Sequence, residues 1–342
     1  MSELATLVRP TPRTVRVVRP PHAQESLLMH QDLVVALDIG GTKIAGALVD
    51  SAGRLLVRAQ RPTFAQESAA RVDSSLLEVL DELRAAPEWQ RARALGIGSA
   101  GPVDAKAGTV SPVNIPVWRD HPLVATVRER VDGMPVSLIG DGPAIAAAEH
   151  WQGAAQGRTA ALCMVVSTGV GGGLVLDGTL HPGPTGNAGH IGHISVDMNG
   201  ERCPCGGHGC VERIASGTNI ARYARETGWR PGPDGDATAA GVAAAARAGD
   251  PLARAAYGRA ARALAAAIAA TATLVEIDIA VIGGGVARAG EVLFDPLRVE
   301  LDRYATLSFV QGLELAPART GTDAGLIGAA AAAWKLLGEP VA

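Results

Sequence analysis

Five groups of residues in this sequence combine types and spacings that can do chemistry. The first is Asp38-Ile39-Gly40-Gly41-Thr42-Lys43, at the end of an apolar run. Adjacent glycines let the backbone approach a ligand closely, and their N–H groups and the Thr42 hydroxyl can donate to phosphate oxygens. An acidic residue at the strand end can hold Mg²⁺ through water, a role open to Asp38. The spacing is not that of a Walker loop, because GxxxxGK[ST] is absent. The second is Ser167-Thr168-Gly169-Val170-Gly171-Gly172-Gly173, again after an apolar run, with a second set of backbone donors for phosphate. The third is Gly283-Gly284-Gly285, where a flat ligand such as adenine with its ribose can lie against bare backbone. The fourth is His193 with Cys203, Cys205 and Cys210, spaced H-x9-C-x-C-x4-C. Four nitrogen and sulfur donors within so short a stretch suit a closed tetrahedral zinc site that pins a loop. The fifth is Asp141, at a strand end and a helix start, where it serves either as an N-cap or as a general base for an attacking hydroxyl.

These residues need elements that hold them. "LVVALDI" from Leu33 reads as a buried strand, followed by "IAGALVD" and "AGRLLVRAQR" around the Asp50–Gly53 turn. A helix is predicted over Glu67–Ala86, then the strands "ALGIGSAG" and "PVSLIGD", then an Ala-rich helix from Ala144. The second half repeats the scheme with a hairpin, "AALCMVVSTGVGGGLVLDGTL", and a loop-rich insert over 183–212. Helices follow over Gly217–Thr227, Ala237–Ala248 and Pro251–Val275, then the strand "IAVIGGGVA" and a helix over Val292–Tyr304. The segment "LELAPA" and a closing helix over Ala324–Leu337 end the pattern. Two halves that each begin with a glycine-broken hairpin and continue as α/β predict two α/β domains with a ligand cleft between them.

Composition bounds the reading. The chain has 342 residues, 47% of them apolar but only 3% aromatic, which suits Ala/Val/Leu/Ile cores of helix-covered parallel sheets. A net charge of −3 argues against a nucleic-acid surface. Lys occurs only at Lys43, Lys106 and Lys335, so its presence in the first glycine motif stands out. Three of the four cysteines are clustered, unlike a secreted disulfide scaffold. Residues 1–32 hold several prolines and no sustained period and read as a flexible extension; nothing there reads as a signal peptide or a membrane span. A cytoplasmic protein without membrane or nucleic-acid partners is expected.

Taken together, "LDIGGTKIAGALVD", "GIGSAGPVD", "NIPVW", "STGVGGGLVLDGTL", "GNAGHIGH", "CPCGGHGCVE", "VIGGGVA" and "AGLIGAAAAAW" resemble the ROK family, named for repressors, open reading frames and kinases. That family includes bacterial glucokinases and N-acyl-hexosamine kinases. The resemblance implies an actin-like, ribonuclease H-like two-domain sugar-kinase fold with a zinc loop over 193–210. Residues 33–140 plus 324–342 would form the smaller domain and 141–323 the larger. It implies ATP, Mg²⁺ and structural zinc, a sugar acceptor, and a homodimer or homotetramer. Asp38, Gly40, Gly41, Thr42 and Lys43 would face the phosphates of ATP, opposite Ser167, Thr168, Gly169, Gly171 and Gly172, with Gly284 and Gly285 at the nucleoside. Asp141 would be the catalytic base. His193 would bind zinc and border the sugar, Glu212 would bond ring hydroxyls, and Asn114 and His190 would line the same pocket.

Two positions depart from the pattern. The Asn that usually precedes the catalytic Asp is Gly140, with Gly142-Pro143 following, and the Glu of Glu-x-Gly-His is His190. A histidine donates as well as accepts and carries no fixed negative charge. Sites built around a polar partner discriminate strongly when it is lost. The expected acceptor is therefore a modified ring of a biosynthetic pathway, a C7-cyclitol or an amino-hexose, with the neutral cyclitol favoured. The alternatives are an ordinary glucokinase and an inactive sugar-binding or regulatory member.

Overall fold

A computed structural model describes residues 32–232 and 235–339. The extension read over 1–32 therefore lies, save for Asp32, outside the described residues.

The first sheet is ordered β3-β2-β1-β4-β7: β1 (Leu33–Ile39), β2 (Lys43–Asp50), β3 (Leu55–Pro62), β4 (Ala92–Ser99) and β7 (Val136–Gly140). β1 pairs antiparallel with β2 and parallel with β4. The second sheet is ordered β10-β9-β8-β11-β12: β8 (Ala161–Val166), β9 (Val170–Leu176), β10 (Thr179–His181), β11 (Ile279–Gly283) and β12 (Glu314–Pro317). Here too an antiparallel hairpin is followed by two parallel strands. The two sheets share one plan, as the paired halves of the sequence predict, and the fold is actin-like. β1 and β2 are apolar almost throughout because helices cover both faces, whereas the edge strand β3 alternates buried and exposed residues.

Helix α1 (Ala69–Arg84) covers one face of the first sheet with Val72, Leu76, Val79, Leu80 and Leu83. On the other face lie α3 (Asp141–Gln152) and α9 (Ala324–Leu336), whose alanines meet Val34, Ala36, Ala45 and Ala47. α3 also packs on the second sheet through Ala146, against Cys163 and Val281. Their approach is close: a methyl added at Gly328 of α9 would overlap the Ala144 carbonyl of α3. The outer face of the second sheet carries α4 (Val211–Ala215), α5 (Gly217–Glu226), α6 (Ala239–Arg247), α7 (Pro251–Val275) and α8 (Glu291–Tyr304). α7 is long and apolar enough to cross a membrane, yet thirteen of its residues are buried in this packing. Its start is fixed by Pro251 and by Asp250, whose carboxylate accepts from the Leu252 and Ala253 N–H groups.

Some boundaries differ from the expected ones. α1 spans 69–84 rather than 67–86, because the Ser68 side chain caps it at Arg71 N–H. α3 begins at Asp141, not Ala144, and stops at Gln152, before Gly153. The hairpin β5–β6 (Val103–Asp104, Thr109–Val110) and the helix α2 (Leu123–Arg128) are too short for periodicity to reveal.

Candidate active site

Between the sheets opens a cleft of about 480 Å³ lined by Asp38, Asp141, Ser167, the backbone of Gly283–Gly285 and the turn Thr320–Gly325. Asp38 is the next-to-last residue of β1, and Asp141, Ile145 and Glu149 follow one another at four-residue intervals along one face of α3. Burial pushes Asp38 up from the ordinary 3.8 to about 6; Lys43 opposes this and Asp141 adds to it. Burial also raises Asp141, against the Gly142 N–H bond and the nearby His190 ring. Asp141 is not an N-cap: Gly140 occupies that position, and Asp141 is the first helical residue, accepting from Gly142 N–H at 2.8 Å.

The Gly40–Lys43 turn is closed by Gly40 N–H to the Lys43 carbonyl at 3.0 Å. Thr63, fully buried, donates its hydroxyl to the Gly40 carbonyl at 2.6 Å and fixes the turn from behind. Thr42 and Lys43 remain exposed. Asn114 lies against Gly41, where an added Cβ would come within 2.9 Å of its side chain. The second glycine run divides. Ser167, Thr168 and Gly169 form the turn, tied by Ser167 N–H to the Gly169 carbonyl at 2.8 Å. Gly171 and Gly172, expected to offer free donors, lie inside β9, paired with Val165 and Met164. At Gly172 the missing side chain serves packing, because it sits under Ile191 and the Gly189 carbonyl, whereas a Cβ at Gly171 would meet only Val165 at 3.5 Å. Glu212 on α4 reaches the same turn and accepts from Val170 N–H at 2.9 Å. At the third run Gly284 takes φ +93°, and a side chain there would strike the Val166 carbonyl. Gly285 faces the Ser167 hydroxyl.

Near Asp141, whose charge it influences, His190 has its Nδ1 2.9 Å from the Asn187 carbonyl. A carbonyl only accepts, so Nδ1 carries a proton; in the uncharged form of the ring this leaves Nε2, which faces Gly101, as an acceptor. His193 sits 6.2 Å away, ring to ring. Donor atoms of His193, Cys203, Cys205 and Cys210 all lie within 4.8 Å of one another. Cys205 and Cys210 are 3.6 Å apart, close to the roughly 3.8 Å edge of a tetrahedron with 2.3 Å zinc–sulfur bonds. The donor set fits zinc.

Sequence reasoning passed over Glu149. It is fully buried, and its carboxylate accepts from the N–H groups of Ala154 (2.8 Å), Arg319 (3.0 Å) and Thr320 (2.8 Å) and from the Thr320 hydroxyl. It thereby staples the turn that floors the cleft. A carboxylate directly after the apolar run 144–148 is the signal that could have found it.

Similarity to known proteins agrees with this geometry. The chain is 35% identical over 309 residues to a glucokinase of Thermotoga maritima, covering 87% of this chain and 96% of that protein. It is 34% identical over 296 residues to an N-acetylmannosamine kinase of Yersinia pseudotuberculosis, covering 86% and 96%. A ROK glucokinase of Streptomyces griseus, solved with glucose and AMPPNP, superposes with a TM-score of 0.74 at 33% identity, covering 89% of this chain and 99% of that one. Residues 34–335 match the ROK family across nearly the whole described chain, and the protein belongs to that family.

Proposed function

We propose that this ATP-dependent sugar kinase phosphorylates the primary hydroxyl of a modified ring, a C7-cyclitol or an amino-hexose, with a neutral cyclitol favoured. The observation that carries the reading is the glycine that stands beside Asp141. Gly140 has ordinary extended backbone (φ −68°, ψ 159°), and a Cβ there would meet nothing closer than 3.4 Å. Glycine is thus not required by the chain, and it leaves no polar side chain next to Asp141 to bond a hydroxyl of the acceptor. His190 stands where the family's pattern has a carboxylate and carries no fixed negative charge.

In this reading Asp141 takes the hydroxyl proton as the acceptor oxygen attacks the γ-phosphorus in line, and the bond from that phosphorus to the β,γ-bridging oxygen breaks to release ADP. Burial raises its pKa, which makes the carboxylate a stronger base than an exposed aspartate. The turns Gly40–Lys43 and Ser167–Gly169 supply fixed N–H dipoles, and Gly284 and Gly285 leave room for the nucleoside. Mg²⁺, held through Asp38, would neutralise charge on the phosphates. Asn114, His190 and Glu212 border the ring, and His193 joins that border to the zinc loop. Val299, Tyr304, Leu307 and Phe309, all at least 45% exposed at and beyond the end of α8, support self-association as a homodimer or homotetramer.

The test is coupled ADP release with Mg²⁺-ATP against glucose, mannose, N-acetylmannosamine, free amino-hexoses and C7-cyclitols. A cyclitol or amino-hexose at least tenfold ahead of glucose in kcat/KM is the expected result. Glucose ahead would make this an ordinary glucokinase, and silence on every acceptor would favour an inactive sugar-binding member.

We assign structural zinc to His193, Cys203, Cys205 and Cys210. α4 starts at Val211, directly after Cys210, and carries Glu212 in its first turn. Loosening the loop should therefore displace Glu212 as well as His193. Metal analysis should find one zinc per chain. Cys210→Ser should lose it and drop kcat/KM by about 10- to 100-fold, with a lower Tm. A fully active, zinc-free Cys210→Ser protein would overturn the assignment.

A further inference from the structure

Near His190 the two lobes are bridged by the side chain of Asn187 and by a backbone bond beside it. Asn187 belongs to the loop between β10 and the short turn Ile191–His193, on the second sheet's lobe. Its Oδ1 accepts from Val103 N–H at 3.1 Å, and its Nδ2 donates to the Val103 carbonyl at 2.7 Å. Nδ2 also donates to the Thr185 hydroxyl at 3.1 Å, while the Thr185 carbonyl accepts from Ala105 N–H at 3.1 Å. Val103 is a buried member of the first sheet's core, so these bonds bridge the lobes. Gly186 lets them close: an added Cβ would come within 3.0 Å of Val103.

The same residue reaches the acceptor pocket on both sides. On its own lobe, the Asn187 carbonyl receives the Nδ1 proton of His190 and turns Nε2 toward Gly101. On the other lobe, Gly101 and Pro102, next to Val103, accept from Val113 and Ser111 N–H, so they hang the segment that presents Asn114 beside Gly41.

We propose that Asn187 is a positioning residue that couples the joining of the two lobes to the orientation and tautomer of His190. With Val103 engaged, the loop is held where its carbonyl meets Nδ1, and Nε2 is an acceptor for a ring hydroxyl. With Val103 released, that carbonyl moves away and His190 reverts to the Nε2–H form that imidazole favours in water. A closed acceptor pocket thus carries an acceptor at His190 and an open one a donor, so recognition of the ring is tied to closure. Asn is suited to the position because it donates and accepts at once. The substitution Asn187→Asp would set a carboxylate oxygen against the Val103 carbonyl.

Because this role rests on the kinase reading above, the experiment includes readouts that need no turnover. In the full chain at pH 8.5, ¹⁵N spectra of labelled histidines should show His190 as Nδ1–H in the wild type. In Asn187→Ala it should be mainly Nε2–H, and backbone exchange over 101–105 should accelerate at least about tenfold. With the best acceptor of the panel, KM for that acceptor should rise about 10- to 100-fold while KM for ATP stays within about twofold. Asn187→Asp, nearly isosteric, should show the same split if Asn187→Ala folds poorly. An unchanged tautomer and unchanged exchange would overturn the proposal, as would equal rises in both KM values. Should the tautomer and exchange shift as expected in a protein that phosphorylates no acceptor, the coupling stands and the kinase reading fails.

Discussion

Replacing Asp141 with Asn is expected to lower kcat by about 10²- to 10⁴-fold while leaving KM for ATP within about twofold. Asn keeps the shape and the Gly142 N–H contact, since its Oδ1 can accept that bond as the carboxylate does at 2.8 Å. What it lacks is a lone pair basic enough to take the acceptor's proton. Domain geometry and the glycine turns are untouched, so nucleotide binding should persist, measurable by calorimetry with Mg²⁺-ADP. The pH profile carries the same information. Burial raises Asp141 above the ordinary carboxylate range, so the acidic limb of kcat should fall at a higher pH than for an exposed aspartate. Retention of more than a tenth of wild-type kcat by Asp141→Asn would remove Asp141 from the role of base.

What could be read from the chain alone followed the range over which each feature is encoded. The His/Cys cluster spans 193–210, and its donors converge as their spacing implies. β1 and its glycine turn are likewise local, and the shared plan of the two halves reappears in the two sheets. The glycine run after β8 was ambiguous because glycine serves both loops and tight packing. Packing decided it, with α3 and the 189 loop pressed against β9, so only Ser167–Gly169 remained a turn. The residues that went unread depend on partners far along the chain. Glu149 bonds Thr320, 171 positions away; Asn187 bonds Val103, 84 away; Thr63 bonds Gly40 across the β2–β3 hairpin. No periodicity announces such pairs, although a buried carboxylate always requires donors from somewhere.

Those long-range pairs have a common feature. Each anchors a cleft segment to a rigid element on a different part of the chain: Glu149 the Thr320 turn to α3, Thr63 the Gly40 turn to β3, Asn187 the acceptor loop to Val103. Catalysis by positioning needs such second supports, because a turn held only by its own backbone is loose on the scale of the reaction.

Asp38→Asn should raise stability and destroy activity. The wild-type carboxyl titrates at about 6 instead of the ordinary 3.8, chiefly because it is buried. For an acid raised in the folded state, the favourable contribution is complete below about pH 3.8 and is lost as pH rises through about 6. At pH 8, in the absence of Mg²⁺, the folded protein therefore carries a cost of about 3 kcal/mol for the buried charge. The start of α9 tempers that cost without removing it. Gly325 brings bare backbone against the carboxylate, where an added Cβ would fall within 2.5 Å of it. Asn at position 38 abolishes the charge, so Tm at pH 8 should rise by roughly 5 °C, and the gain should vanish near pH 4, where both side chains are neutral. Mg²⁺ should reverse the order. It should raise the wild-type Tm at pH 8 by favouring the ionised carboxylate, yet leave Asp38→Asn unmoved. Activity should follow the charge rather than the stability. Turnover by Asp38→Asn should fall at least about 100-fold, and wild-type turnover should decline as pH drops through about 6. Thermal melts at pH 4 and pH 8, with and without Mg²⁺, decide the matter. A variant destabilised at pH 8 would mean that the buried carboxylate is held by fixed protein donors, and that its charge is not reserved for a cation.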